Sequence, residues 1–478
     1  MDESAPIDDR LERALGRAWT DDRAWNLLTR LTELPHRMGG SPSERRAAEI
    51  VRETLSSAGL ENVQFQSFPM QYWERAITEF AVLEGKDDDA ASGNTGGIDR
   101  SFEAIALPYS PAGDVEGPLV DVGYGTPPEL EDVDLQGGVA VASTTTPSGQ
   151  RFVHRMEKYG HAVAAGAEAF VFANHVPGQL PPTGALKFDG EAAVPGVGVS
   201  AETHDWLTEY ADRGGRARLR VDAATEDGSS QNVHGTLGGE TPRASERSSE
   251  HDSRDAETDD EVLVVAHYDA HDIAEGALDN GCGIATVAAA TSILSAIEDT
   301  LECRVRIAGV GCEEIGLLGA GAMADAFDLE SIRAVVNVDG AGRFRNLRAY
   351  SHGSEALAEV AEEVTDAAGQ PVVHEPDPHP FSDHWPFLQA GVPALQLHSE
   401  PPSGGERGRG WGHTAADTRD KVDPRNLREH AMLTALLVRE LTRTDVARIE
   451  AEELRAQLRE QEYEPGMKAA EIWPEAWE

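Results

Sequence analysis

Between Val262 and Leu397 short apolar runs alternate with stretches whose apolar residues recur every three or four positions. Val262–Ala266, Val305–Gly311, Ala334–Val338 and Val392–Leu397 are short and rich in Val, Ile and Ala, as strands buried on both faces are. Gly283–Ile297, Leu317–Ala326 and Ser354–Ala367 lie between them with helical periodicity. Pro424–Thr442 closes the series as a helix with Pro424 in its first turn. This alternation predicts an α/β fold, a mostly parallel (mixed) sheet sandwiched by helices.

The first half reads differently. Ser41-Pro42-Ser43-Glu44 has the spacing of a capping box, and predicts a helix to about Ser57 that Gly59 is suited to end. From about Phe102 to Asp222 short β runs mix with many Gly and Pro residues; Gly138–Ala142 and Ala169–Ala173 read as buried strands. Helix-like stretches lie near His161–Ala167 and Ala201–Tyr210. No cluster of ligand-type residues occurs there, so this part is expected to carry no chemistry. The pattern suggests two domains or one large domain carrying an insertion, the main part in two pieces, 1–101 and 223–445, and the smaller β-rich α/β part at 102–222. Residues 446–478 read as a charged tail, an exposed helix. The polar stretch 87–94 and the charged, Ser-rich stretch 240–260 read as solvated loops.

Composition adds a second constraint. The 478 residues exceed what one core usually serves, and the formal charge is −44. Lysine is confined to Lys86, Lys158, Lys187, Lys421 and Lys468. Such a chain repels itself at ordinary ionic strength, whereas in molar salt the screening length falls to ~3 Å. The acid excess therefore reads as adaptation to a salt-rich, halophilic cytoplasm, and no basic stripe exists to engage nucleic acid. No apolar run reaches the ~18 residues of a membrane span. The acidic start Met1-Asp2-Glu3-Ser4 has no apolar stretch after it, so no signal peptide and a cytoplasmic location are expected. Cys282, Cys303 and Cys312 show no metal-type spacing and read as small apolar residues.

Chemistry appears where the strands end. Val262–Ala266 runs into His267-Tyr268-Asp269, Val305–Gly311 into Cys312-Glu313-Glu314, and Ala334–Val338 into Asp339-Gly340. Open α/β sheets bind ligands at that edge. Asp279, in the turn-rich Gly276–Gly281, and His413, in Gly410–Thr418, complete a set of two imidazoles and three carboxylates with one further acid beside it. Nitrogen and oxygen donors without thiolate suit zinc. Singly, each acid is an ordinary surface charge among 85. Jointly, at successive strand ends, they make a metal site. His271 and Asp272 read as loop polar residues, and Tyr268 and Trp411 as packing or specificity elements.

At these residues the sequence resembles the co-catalytic di-zinc exopeptidases that include aminopeptidase Y and bacterial leucyl aminopeptidases. The resemblance rests on His267-Tyr268-Asp269, Asp279-Asn280-Gly281, Glu313-Glu314-Ile315-Gly316, Asn337-Val338-Asp339, Ser382-Asp383-His384 and His413–Thr418, over roughly 25–80 and 230–445. The region 102–222 resembles the protease-associated domain often inserted in that family, in its strand pattern and at Val194–Ser200. The resemblance implies two zinc ions: one on His267 and Asp339, one on Glu314 and His413, with Asp279 bridging and Glu313 as general base. Asp269 is expected to orient His267, Asp417 to support the His413 loop, and His384 either to line the substrate pocket or to be a satisfied polar residue behind it. The expected partner is a peptide substrate, and a homo-oligomer is compatible with the sequence. An aminopeptidase is the first reading. A carboxypeptidase or dipeptidase on the same site is the second, with Arg343, Arg345 and Arg407 as candidates to grip a substrate carboxylate. An inactive receptor or binding module, or a one-zinc glutaminyl cyclase, would show missing ligands, and none is missing.

Overall fold

The apolar runs are strands in the computed structural model, which describes residues 9–83, 98–131, 133–238, 260–401 and 410–478. Across the main domain the order is Val372–Glu375, Asn346–Tyr350, Ala394–Glu400, Ile332–Val338, Glu261–His267, Arg304–Val310 and Arg216–Leu237. From Ala394–Glu400 to Arg304–Val310 neighbours are parallel. Antiparallel partners flank that block on both sides, so the sheet is mixed. Because the central strands run the same way, His267, Glu313, Glu314 and Asp339 emerge at one edge.

Helix Cys282–Ala296 lies against the central strands and is buried along most of its length, which its run of Ala, Ile and Val allows. The stretch Ala277–Ala296 is long and apolar enough to cross a membrane, but 83% of it is buried within the protein. It is the core helix of the main domain. Pro42–Ser57 forms as the sequence predicts, with the Ser41 hydroxyl accepting from the Glu44 amide at 3.0 Å. The reciprocal half of the box is redirected: Glu44 accepts from the Gly40 amide and the Ser230 hydroxyl, both at 2.7 Å. Burial, and then the charge of Asp269, push the Glu44 carboxyl up to about 8.

Two strands were not legible. Glu61–Leu83 and Arg216–Leu237 pair antiparallel over almost their whole length and run from the main domain into the insert. There Gly113–Asp121 joins Arg216–Leu237, followed by Val139–Ser143, Ala169–Ala173 and Gly196–Val199 in parallel order. The boundary placed at 101/102 falls in the strand Ile98–Phe102, and that at 222/223 inside Arg216–Leu237. Composition changes where burial changes, while the backbone ladder continues through. The insert helix spans Arg155–Ala164 rather than 161–167, because His154 caps its start and Gly166, at φ +101°, turns the chain at its exit.

The C-terminal segment is not a solvent-exposed helix. Helices Ala451–Glu460 and Tyr463–Ala469 bury Leu454, Leu458 and Met467 with Trp473 and Trp477 against Trp385, Leu388 and Val392. Lys187 of the insert pairs with Glu471 at 2.6 Å. Five apolar side chains spaced along a charged stretch are enough to dock it. The loops expected at 87–94 and 240–260 lie, Asp260 apart, outside the described residues.

Candidate metal centre

Three strand ends and two loops build the site. His267 ends its strand fully buried, with Nε2 at 3.3 Å from Asp279 Oδ1 and 3.9 Å from Asp339 Oδ1. On the other side His413 Nε2 lies 3.1 Å from Asp279 Oδ2 and 3.1 Å from Glu314 Oε2. Asp279 thus turns one oxygen to each imidazole. The five residues read as ligands converge, in two groups that share Asp279.

The donors fit a pair of cations. Neither ring nitrogen of His267 has a hydrogen-bond partner among the described residues, although carboxylate oxygens stand at 3.3 and 3.4 Å. A buried imidazole and carboxylate this close but out of line with each other are aimed at a third point. Ligands sharing a zinc ion at ~2.0–2.2 Å in tetrahedral array lie roughly 3.3 Å apart. Burial disfavours charge on His267, but Glu313, Asp269, Asp279 and Asp339 outweigh it and hold the imidazole pKa well above its usual value. Burial alone would raise Glu314; His271 and His413 hold it well below the carboxylate range.

Glu313 stands off both groups, its Oε2 at 4.0 Å from His267 Nε2. Burial, opposed by His267 and reinforced by Glu314, Asp383 and Asp339, pushes its carboxyl well above the usual value. Cys312, at φ +58°, turns the chain before it. Asp269 then accepts from the amides of Glu313 at 3.1 Å and Glu314 at 3.2 Å. Its contact with His267 Nδ1 is the longer one, at 3.4 Å, so Asp269 aims the two glutamates more directly than the imidazole.

Other expectations change. Asp417 accepts from the amides of Leu278 at 2.6 Å and Asp279 at 3.1 Å, so it supports the Asp279 loop as well as its own. Burial pushes its carboxyl up to about 7. His384 does not line a substrate pocket. It is fully buried, its Nε2 donates to His379 O at 2.8 Å, and it stacks on His352 at 4.2 Å. It is a satisfied polar residue one layer behind Asp339, where Asn337 and the Ser382 hydroxyl complete the chain of contacts. Tyr268 is fully buried packing, bonded to Gln231 O. Trp411 is partly exposed beside Arg343 and Lys421.

The sequence missed several participants. His271 reaches Glu314 Oε2 at 3.0 Å and packs edge-on to His413 at 4.7 Å between ring centres. Asp383 is fully buried, and neither of its oxygens has a hydrogen-bond partner among the described residues. Arg37 is a buried cation that donates to the carbonyls of Tyr268, Glu275 and Gly276. The insert takes part too, against the expectation of no chemistry there. Thr183 O accepts from His413 Nδ1 at 3.2 Å, a tautomer that turns the Nε2 lone pair to the carboxylates. A cavity of about 220 Å³ opens between the two domains, lined by Phe152, His154, Phe172, Asn174, Thr183 and His413 among others.

Asn280 locks the loop that carries Asp279 in place. Its Oδ1 accepts from the Gly283 amide at 3.0 Å and the Gly340 amide at 3.1 Å, and its Nδ2 donates to Val338 O at 2.8 Å. Asn280→Ala leaves three backbone groups without partners, at ~1 kcal/mol or more each. A loss of about 3 kcal/mol in urea unfolding is expected; a loss under ~1 kcal/mol would show the staple to be dispensable.

Two family models match the chain. Residues 250–438 match the model of peptidase family M28, and residues 115–207 that of the PA domain. Aminopeptidase YwaD of Bacillus subtilis is 24% identical over 434 residues, 88% of this chain and 85% of the relative. Carboxypeptidase Q of Mus musculus is 22% identical over 414 residues, 84% of this chain and 81% of the relative. The fold is similar to that of BSAP, a zinc aminopeptidase from Bacillus subtilis, with a TM-score of 0.65 at 23% identity over 88% of this chain and 94% of that one. The chain therefore carries a peptidase family M28 domain over residues 250–438 and a PA domain over 115–207, and is a metallopeptidase.

Proposed function

We propose that this peptidase is an aminopeptidase that binds two zinc ions and removes N-terminal residues from peptides. The observation that carries the reading is the division of Asp279, one carboxylate oxygen towards His267 and Asp339, the other towards His413 and Glu314. When bound, the ions supply Lewis acidity, making water nucleophilic at neutral pH and stabilising charge on the scissile carbonyl. Glu313 takes the proton of the attacking water and passes it to the leaving amine. Its burial suits this, because a base with a raised pKa works nearer neutral pH. Asp269 keeps Glu313 and Glu314 aimed through their amides. The phenylalanines of the inter-domain cavity favour apolar side chains on the substrate.

Similarity to carboxypeptidase Q supports a second reading, a carboxypeptidase or dipeptidase on the same residues. Among the arginines considered for a carboxylate grip, Arg345 pairs with Glu429 at 2.9 Å, Arg343 lies over the Trp411 ring, and Arg407 is outside the described residues. Amino-acyl anilides are compared with N-acetylated dipeptides. Cleavage of leucyl but not glutamyl anilide is expected. Cleavage of only the N-blocked substrates would replace the first reading by the second.

We also propose that the −44 charge adapts the protein to molar salt. Raising KCl from about 0.1 to 1 M shortens the screening length from ~10 to ~3 Å. Tm is expected to rise by about 10 °C, several kcal/mol at ~2–4 °C per kcal/mol. A flat Tm would remove the proposal.

A further inference from the structure

We propose that His271 is a ligand of the second cation, together with His413, Glu314 and Asp279, so that this position is closed by protein while the His267 position stays open. The inference rests on the two-metal reading above and adds a residue to it.

His271 is 4% exposed, and neither of its ring nitrogens has a hydrogen-bond partner among the described residues. Burying a polar ring without a partner is costly unless something absent from the bare chain completes it. Its Nε2 stands 3.0 Å from Glu314 Oε2, a distance at which an aligned N–H would bond. No such alignment exists, so the two atoms converge on a third point. His413 Nε2 stands 3.1 Å from the same oxygen, and ligand atoms of His271, Glu314 and His413 all lie within 4.8 Å of one another. The rings meet edge to face, their centres 4.7 Å apart, which lets both lone pairs point inward without a clash.

The consequence is asymmetry. His267, Asp279 and Asp339 supply three donors, the pattern of a zinc position that keeps room for substrate or water. His271, His413, Glu314 and Asp279 supply four, the pattern of a closed, tightly held position. Exposure follows the same division: the Asp279, Asp339 and Glu313 side chains are partly exposed, whereas those of His271 and Glu314 are buried.

X-ray absorption on the two-zinc wild-type protein tests this without a variant. It should count about three imidazoles per pair of ions, where His267 and His413 alone give about two. His271→Ala and His271→Gln are then titrated with zinc against a chromogenic chelator, with circular dichroism checking the fold. Glutamine can still hydrogen-bond Glu314 but is a poor zinc ligand, so both variants should weaken one of two sites by about 10–100-fold or more. A count of two imidazoles, or wild-type affinity in His271→Gln with a loss only in His271→Ala, would overturn the inference and make His271 a partner of Glu314. If wild-type protein binds fewer than two ions, the two-metal reading itself fails.

Discussion

Glu313→Gln lowers kcat by about 10²–10⁴-fold and leaves zinc content unchanged. Glutamine keeps the shape and removes the basic oxygen. The prediction depends on where Glu313 stands: outside both ligand groups, 4.0 Å from His267, fixed through its amide by Asp269. Metal content after dialysis separates it from its neighbour. Glu314→Gln should lose zinc, because Glu314 touches both His271 and His413. Normal turnover in Glu313→Gln would remove it as the base, and loss of an ion would make it a ligand.

Stripping the ions destabilises the protein by about 4 kcal/mol for each ion, where free zinc stood at ~1,000 times its Kd. The bare site crowds the buried Asp269, Glu314 and Asp383 with the half-buried Asp279, Glu313 and Asp339. Arg37 is close enough to feel Asp417, Asp269 and Glu314, but its N–H groups are spent on the carbonyls of Leu31, Tyr268, Glu275 and Gly276. Burial, opposed by His267 and reinforced by Asp269, Asp339 and Glu314, already pushes Asp383 well above its usual value. Charge that is costly in the bare chain becomes attractive around divalent cations. Urea unfolding before and after chelation, with zinc added back, measures the difference. Equal midpoints would mean that the donors do not hold metal in solution.

Much of the site was legible because its residues follow apolar runs whose period identifies them as strands. A parallel block must deliver His267, Glu313–Glu314 and Asp339 to one edge, whatever the loops do. Asp279 and His413 stand in Gly-rich loops, and were legible from residue type and order in a known pattern. His271 sits four residues past His267, where no strand or helix period applies; its direction depends on how the loop packs under His413. Asp383 was part of a recognised motif, but burial without partners cannot be read from a string. Arg37, Thr183 and Asn280 act through backbone groups far along the chain, which residue type does not advertise.

Local rules therefore determined what one segment specifies about itself: the short buried strands, the helix capped by Ser41, and the core helix after Gly281. Tertiary structure alone decided the rest. Glu61–Leu83 and Arg216–Leu237 are strands because each finds the other, not because either alternates cleanly. The last thirty residues fold back because Trp473 and Trp477 find Trp385 and its neighbours. The insert reaches the chemistry through one carbonyl, Thr183 O. The physical reason is common to all three. Pairing, docking and ligand aim are long-range free energies, and neither partner's sequence names the other.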